Sequence, residues 1–136
     1  MSAPTARVRE ATYERDGRAC VSCGSRAGIQ YQHRAAEGAG GRRAEPLLDE
    51  GVTSCAICNP AYEGPLQRKA LLCGWKVRRW VVDRGIAYRV PVFYVPDRAW
   101  FLLDGSGMRV QISRARARGL MEEVYGPEYE KWEAGR

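Results

Sequence analysis

Histidine is almost missing from this chain, with His33 alone in 136 residues. Phenylalanine occurs twice and lysine three times, against 19 arginines. No run approaches the roughly 18 consecutive apolar residues of a membrane-spanning helix. The opening Met-Ser-Ala-Pro-Thr-Ala-Arg lacks the apolar segment of a signal peptide. The expectation is therefore a cytoplasmic protein with no membrane partner. No internal repeat and no low-complexity linker is visible, which excludes solenoid architectures. With one histidine, imidazole cannot build a metal site by itself, so thiolate is left as the principal soft ligand.

What is present supports a folded domain of ordinary size. Apolar residues make up 45% of the chain, and four tryptophans and seven tyrosines can fill a core. Five cysteines in a chain read as cytosolic stay reduced, so closely spaced pairs are better metal ligands than disulfides. Cys20/Cys23 and Cys55/Cys58 are two CxxC pairs. Together they satisfy the tetrahedral coordination of one structural zinc ion, leaving no open position for water or substrate. The 31 residues between Cys23 and Cys55 form an insertion that holds His33. Cys73 lies outside the pattern and reads as a small core residue.

The pattern along the chain predicts an α+β fold. A helix is expected over residues 5–14, capped by Thr5 and stopped by Asp16-Gly17. Residues 28–33 read as a strand that runs into a basic, glycine-rich loop at 37–43. A helical turn is expected from Pro60, and a helix over 65–73, with Leu66, Ala70 and Cys73 on one face. From Trp75 the period becomes two, giving a small antiparallel sheet from segments around Val90 to Tyr94, Arg98 to Leu103 and Arg109 to Ile112. Ser113 caps a helix to about Tyr125, and Gly126-Pro127 begins a last one. We divide the chain at 1–74 and 75–136, packed as one unit.

The formal charge of +6, carried mostly by arginine, suits an anionic partner, because guanidinium forks match phosphate oxygens. Arg34, Arg42 and Arg43 flank the only histidine, and Arg78, Arg79, Arg109, Arg114 and Arg118 form a second basic set. Both are candidates for contact with a nucleic-acid backbone. Trp75, Trp80, Trp100 and Trp132 can stack on bases or fill the core; the core is the commoner role.

The order Arg15-Asp16-Gly17, Cys20-Cys23, Gln32-His33-Arg34, Gly38-Ala39-Gly40-Gly41 and Cys55-Ala56-Ile57-Cys58-Asn59 resembles the HNH endonuclease family over about residues 7–62. The Gly74-Trp75-Lys76-Val77-Arg78 and Val90-Pro91-Val92 segments also resemble small HNH proteins of actinobacterial phages. The resemblance implies a ββα-metal, treble-clef-like zinc core, extended here by the small sheet and C-terminal helices. It implies that His33 is the general base activating water against a DNA phosphodiester, a role suited to an imidazole of ordinary pKa about 6.5. Asn59 would ligate a catalytic divalent ion, magnesium or manganese. Gln32 stands where the family usually has a charged metal ligand, and Glu50 where it usually has asparagine. Glu50 can either supply the anionic ligand or hold the imidazole, and both roles are open. The phage resemblance adds terminase or portal as protein partners, with the acidic 122–133 segment as a docking surface. The alternative function is a zinc-stabilised module that binds nucleic acid or protein without cutting.

Overall fold

Thr5 opens the first helix as its side chain predicts. Its hydroxyl accepts from the Val8 amide at 3.3 Å, and α1 spans Ala6–Arg15. The structure, a computed structural model, describes residues 3–36 and 45–135. The glycine-rich loop with Arg42 and Arg43 lies outside the described residues.

Two strands follow, β1 (Ile29–His33) and β2 (Gly51–Cys55), paired antiparallel with Ile29 opposite Cys55 and His33 opposite Gly51. A short helix, α2 (Cys58–Ala61), comes directly after them. It starts two residues earlier than the expected start at Pro60. A proline in the first helical turn removes an N–H that has no intrahelical acceptor, so Pro60 is tolerated inside it. The helix expected over 65–73 is trimmed to α3 (Gln67–Leu72). It ends at Gly74, whose φ of +73° is left-handed and whose Cα is approached so closely by the Pro91 carbonyl that a Cβ would lie 1.8 Å from it.

The period-two reading from Trp75 fails over its first part. A helix, α4 (Arg79–Asp83), and a 3-10 turn at Ala87–Arg89 occupy that stretch. Val77, Val81, Ala87 and Val90 pack in one buried cluster with Met121, Tyr125, Tyr129 and Trp132. The sheet itself is as expected, with β3 (Val92–Tyr94), β4 (Ala99–Leu103) and β5 (Arg109–Ile112) antiparallel in chain order. Ser113 then accepts from the Arg116 amide at 3.0 Å and caps α5 (Arg114–Tyr125), and Pro127 opens α6 (Pro127–Glu133).

The fold is therefore α+β with two small antiparallel sheets. Its other buried cluster joins Cys20, Val52, Cys55 and Tyr62 to Trp75, Val92, Tyr94 and Phe101. Residues on both sides of position 74 thus share one core. Among the described residues no helix is long and apolar enough to cross a membrane.

Candidate metal centre and the adjoining histidine cleft

The four paired cysteines meet at one point. Their Sγ atoms all lie within 4.8 Å of one another, and those of Cys23 and Cys55 are 3.8 Å apart. Zinc–sulfur bonds of about 2.3 Å at tetrahedral angles place sulfurs about 3.8 Å apart. The donor set and its spacing fit, so this cluster could hold a metal ion such as zinc. Burial opposes ionisation of Cys20, but the Ser22 hydroxyl 3.3 Å away and the Ser22 and Cys23 amides lower its thiol to about 7. Burial pushes the Cys58 thiol up to about 12, and its clustered neighbours add to the rise. Four thiolates this close repel one another, and a bound cation is what would let all four ionise. Around them, the Cys58 amide donates to Cys55 Sγ at 3.4 Å, and Ser22 is hydrogen-bonded to Tyr62, which stacks on Trp75.

The segment before the first pair braces the strands. Arg15 and Asp16 form a buried ion pair at 2.8 Å. The Arg15 guanidinium donates to the Leu48 and Gly51 carbonyls, and Asp16 accepts from the Thr53 amide and the Tyr94 hydroxyl. Burial works against the Arg15 charge, but Asp16 and Tyr94 outweigh it and hold the guanidinium above its ordinary value. Arg15 and Asp16 therefore have a structural role, pinning β2 and with it Gly51 opposite His33. Gly51 is required there because the Tyr31 side chain lies over its Cα, where a Cβ would come within 2.4 Å of the hydroxyl oxygen and two ring carbons.

Beside this clamp is an open cleft of about 380 Å³ lined by Tyr31, Gln32, His33, Ala35, Ala36, Asn59 and Glu63. Three of the residues singled out from sequence thus share one opening. The Tyr31 ring meets the His33 ring edge-on at 5.0 Å, which fixes the plane of the imidazole. Gln32 donates its Nε2 to the His33 carbonyl at 2.7 Å, and Asn59 donates its Nδ2 to Gln30 at 2.9 Å. Both amides spend their donors on the protein and keep a carbonyl oxygen, the hard atom that suits magnesium or manganese.

Glu63 is the residue that sequence reading missed. It lies four residues after Asn59, in the turn that follows α2, and lines the same cleft. Its carboxylate is half exposed and paired with the ammonium of the buried Lys76.

The structure corrects two expectations. Arg34 is not a surface contact for phosphate: it is fully buried and donates to the carbonyls of Gly74, Asp49, Ala87 and Val90 at 2.8–3.1 Å. Burial pushes its guanidinium down to about 10. Glu50 does not line the cleft. It is buried, its carboxylate accepts from the Leu47 amide at 3.0 Å, and its charge acts with burial to raise the Tyr31 hydroxyl. In the acidic C-terminal segment the carboxylates lie at the surface among arginines. Glu122 and Glu133 pair with Arg118, Glu123 with Arg89 and Glu128 with Arg78.

Of the remaining arginines, Arg78 lies over Trp132 as well as against Glu128, and Arg79 pairs with Asp83 at 3.1 Å. Arg78 and Arg79 line a second opening with Lys76 and Trp80, and it shares Ala36 and Glu63 with the histidine cleft. Arg114 is exposed at the start of α5, away from both. Comparison with protein-family models, with curated proteins and with solved structures finds no match.

Proposed function

We propose that this chain is a metal-dependent endonuclease of HNH type, cutting DNA phosphodiesters at the His33 cleft. The observation that carries the proposal is the convergence of Gln32, His33 and Asn59 on one open cleft, built on two antiparallel strands and a short helix beside four clustered thiols. In this reading zinc at Cys20, Cys23, Cys55 and Cys58 is structural, because four protein ligands leave no open position. The oxygens of Gln32, Asn59 and Glu63 would hold a magnesium or manganese ion. That ion supplies charge stabilisation to the developing oxyanion and the leaving oxygen. His33, held by Tyr31, takes the proton from the attacking water at a ring nitrogen. The opening that adjoins the cleft, where Arg78 and Arg79 stand with Asp83 and Glu63, would carry the DNA backbone past it on the two guanidinium groups.

The test is relaxation of supercoiled plasmid in magnesium or manganese by zinc-loaded protein and by His33→Ala of equal helical content. The proposal expects nicking by the former and at least a hundredfold slower nicking by the latter, in line with removal of a general base. Equal rates reject it. One observation favours a second reading, a module that binds nucleic acid or protein without cutting. Glu63, the cleft's carboxylate, is already paired with Lys76. Salt-sensitive DNA binding with no nicking in saturating manganese selects that reading.

A further inference from the structure

The three-stranded sheet turns its buried side chains, Val92, Tyr94, Phe101 and Leu103, to the core. The strand register then puts Phe93, Trp100 and Ile112 in one row on the opposite face, Phe93 beside Trp100 and Trp100 beside Ile112. All three are half-buried, and the Phe93 and Trp100 rings sit 5.3 Å apart. They line an open pocket of about 620 Å³ together with Gln111, Arg98 and Arg114. That size is in the range of small-ligand sites.

The two arginines make this more than an uncovered apolar face. Both are exposed, and neither has an ion pair among the described residues. Arg98 ends the tight turn between β3 and β4, where its amide donates to the Val95 carbonyl at 3.1 Å. Its φ of +50° is a conformation that glycine or asparagine adopts at lower cost. Arg114 begins α5, whose first turn adds the positive end of its peptide dipoles. Aromatic faces, an amide and two uncompensated guanidinium groups around one opening suit a flat aromatic ring that carries a negative charge.

We propose that this pocket binds an unpaired nucleic-acid strand, with a base stacked on Trp100 and its flanking phosphates on Arg98 and Arg114. A base within a duplex is stacked on its neighbours and cannot reach Trp100, so the site prefers single strands. The pocket goes beyond the nuclease reading and needs no chemistry at His33.

The experiment uses the full zinc-loaded chain without added magnesium or manganese, so that cleavage plays no part. A fluorescein-labelled thymidine 15-mer is titrated by anisotropy while tryptophan emission is followed. The same-length duplex, thymidine monophosphate and polyglutamate serve as competitors. The strand should bind at least tenfold more tightly than the duplex and quench tryptophan. Trp100→Leu should weaken it about tenfold or more and remove most of the quenching. The pair Arg98→Gly and Arg114→Gln guards against a folding defect in the tryptophan variant. It should keep or raise the melting temperature while weakening the strand about tenfold and lowering the salt dependence by roughly one unit of slope. Wild-type affinity in all these variants overturns the proposal. So does a duplex that binds as well as the strand, a mononucleotide that binds as tightly, or displacement by polyglutamate without tryptophan quenching. His33→Ala should bind the strand as the wild type does, so loss of nicking and loss of the pocket are read separately.

Discussion

Replacing Arg34 by leucine should cost about 3 kcal/mol of stability and leave the DNA-contacting surface unchanged. The guanidinium is fully buried and makes four hydrogen bonds, each to a main-chain carbonyl, from Asp49, Gly74, Ala87 and Val90. These carbonyls come from separate segments, one before β2, one after α3 and two around the 3-10 turn, so Arg34 joins parts of the chain that sequence alone holds far apart. A buried carbonyl left without a donor costs about 1–3 kcal/mol; Ala87 keeps the Val90 amide as a donor, so the lower figure applied to the other three carbonyls gives the estimate. Part of the loss is offset because leucine escapes the desolvation that pushes the Arg34 guanidinium down to about 10. Lysine, a single ammonium, can restore only some of the four bonds, so Arg34→Lys should fall between leucine and wild type. Urea unfolding of the zinc-loaded protein, followed by tryptophan emission, measures all three. A total stability of about 5–15 kcal/mol is ordinary for a domain, so the leucine variant should stay folded in buffer and unfold at clearly lower urea than the wild type. If it unfolds within about 1 kcal/mol of wild type while DNA binding falls, Arg34 is a surface phosphate contact and its buried placement is wrong.

Further outcomes follow from the clamp and the cleft. Asp16→Ala strands the buried Arg15 charge and should destabilise by about 3–5 kcal/mol in the same unfolding assay. Gly74→Ala places a Cβ against the Pro91 carbonyl at a left-handed φ; soluble yield and melting temperature should both drop sharply, by more than the roughly 1 kcal/mol of an ordinary Gly→Ala change. Removing the thiolate-bound metal with a strong chelator should abolish the cooperative thermal transition, and adding zinc should restore it. Gln32→Asp adds a negative charge to the cleft and should tighten manganese binding about tenfold by calorimetry, whereas Glu63→Gln should weaken it by a similar factor.

The two CxxC pairs were legible because metal chemistry demands a fixed spacing, and the cluster they form has the separations that spacing predicts. Capping was legible for the same kind of reason: Thr5 and Ser113 act within one turn of themselves. What sequence did not disclose depends on distant partners. Nothing near Arg34 distinguishes a guanidinium facing solvent from one that ties Gly74 to Ala87, and its place beside a basic loop pointed the wrong way. Glu50 was weighed as an anionic ligand by its distance from Cys55, but it does not line the cleft. Glu63 escaped notice because it stands in the turn after α2, and only the folded turn brings it to the cleft with Asn59. Trp80, Trp75, Trp100 and Trp132 look alike in sequence; only the register of the sheet turns Trp100 outward.

The central claim is that the cleft beside the thiol clamp holds a divalent cation facing His33. Crystals grown with zinc, soaked in millimolar manganese and measured at the manganese absorption edge, test it most directly. The account predicts a manganese peak within coordination distance of Asn59 and of Gln32 or Glu63, separate from the zinc peak among the four cysteines. A zinc peak at the cysteines with no manganese in the cleft would contradict it.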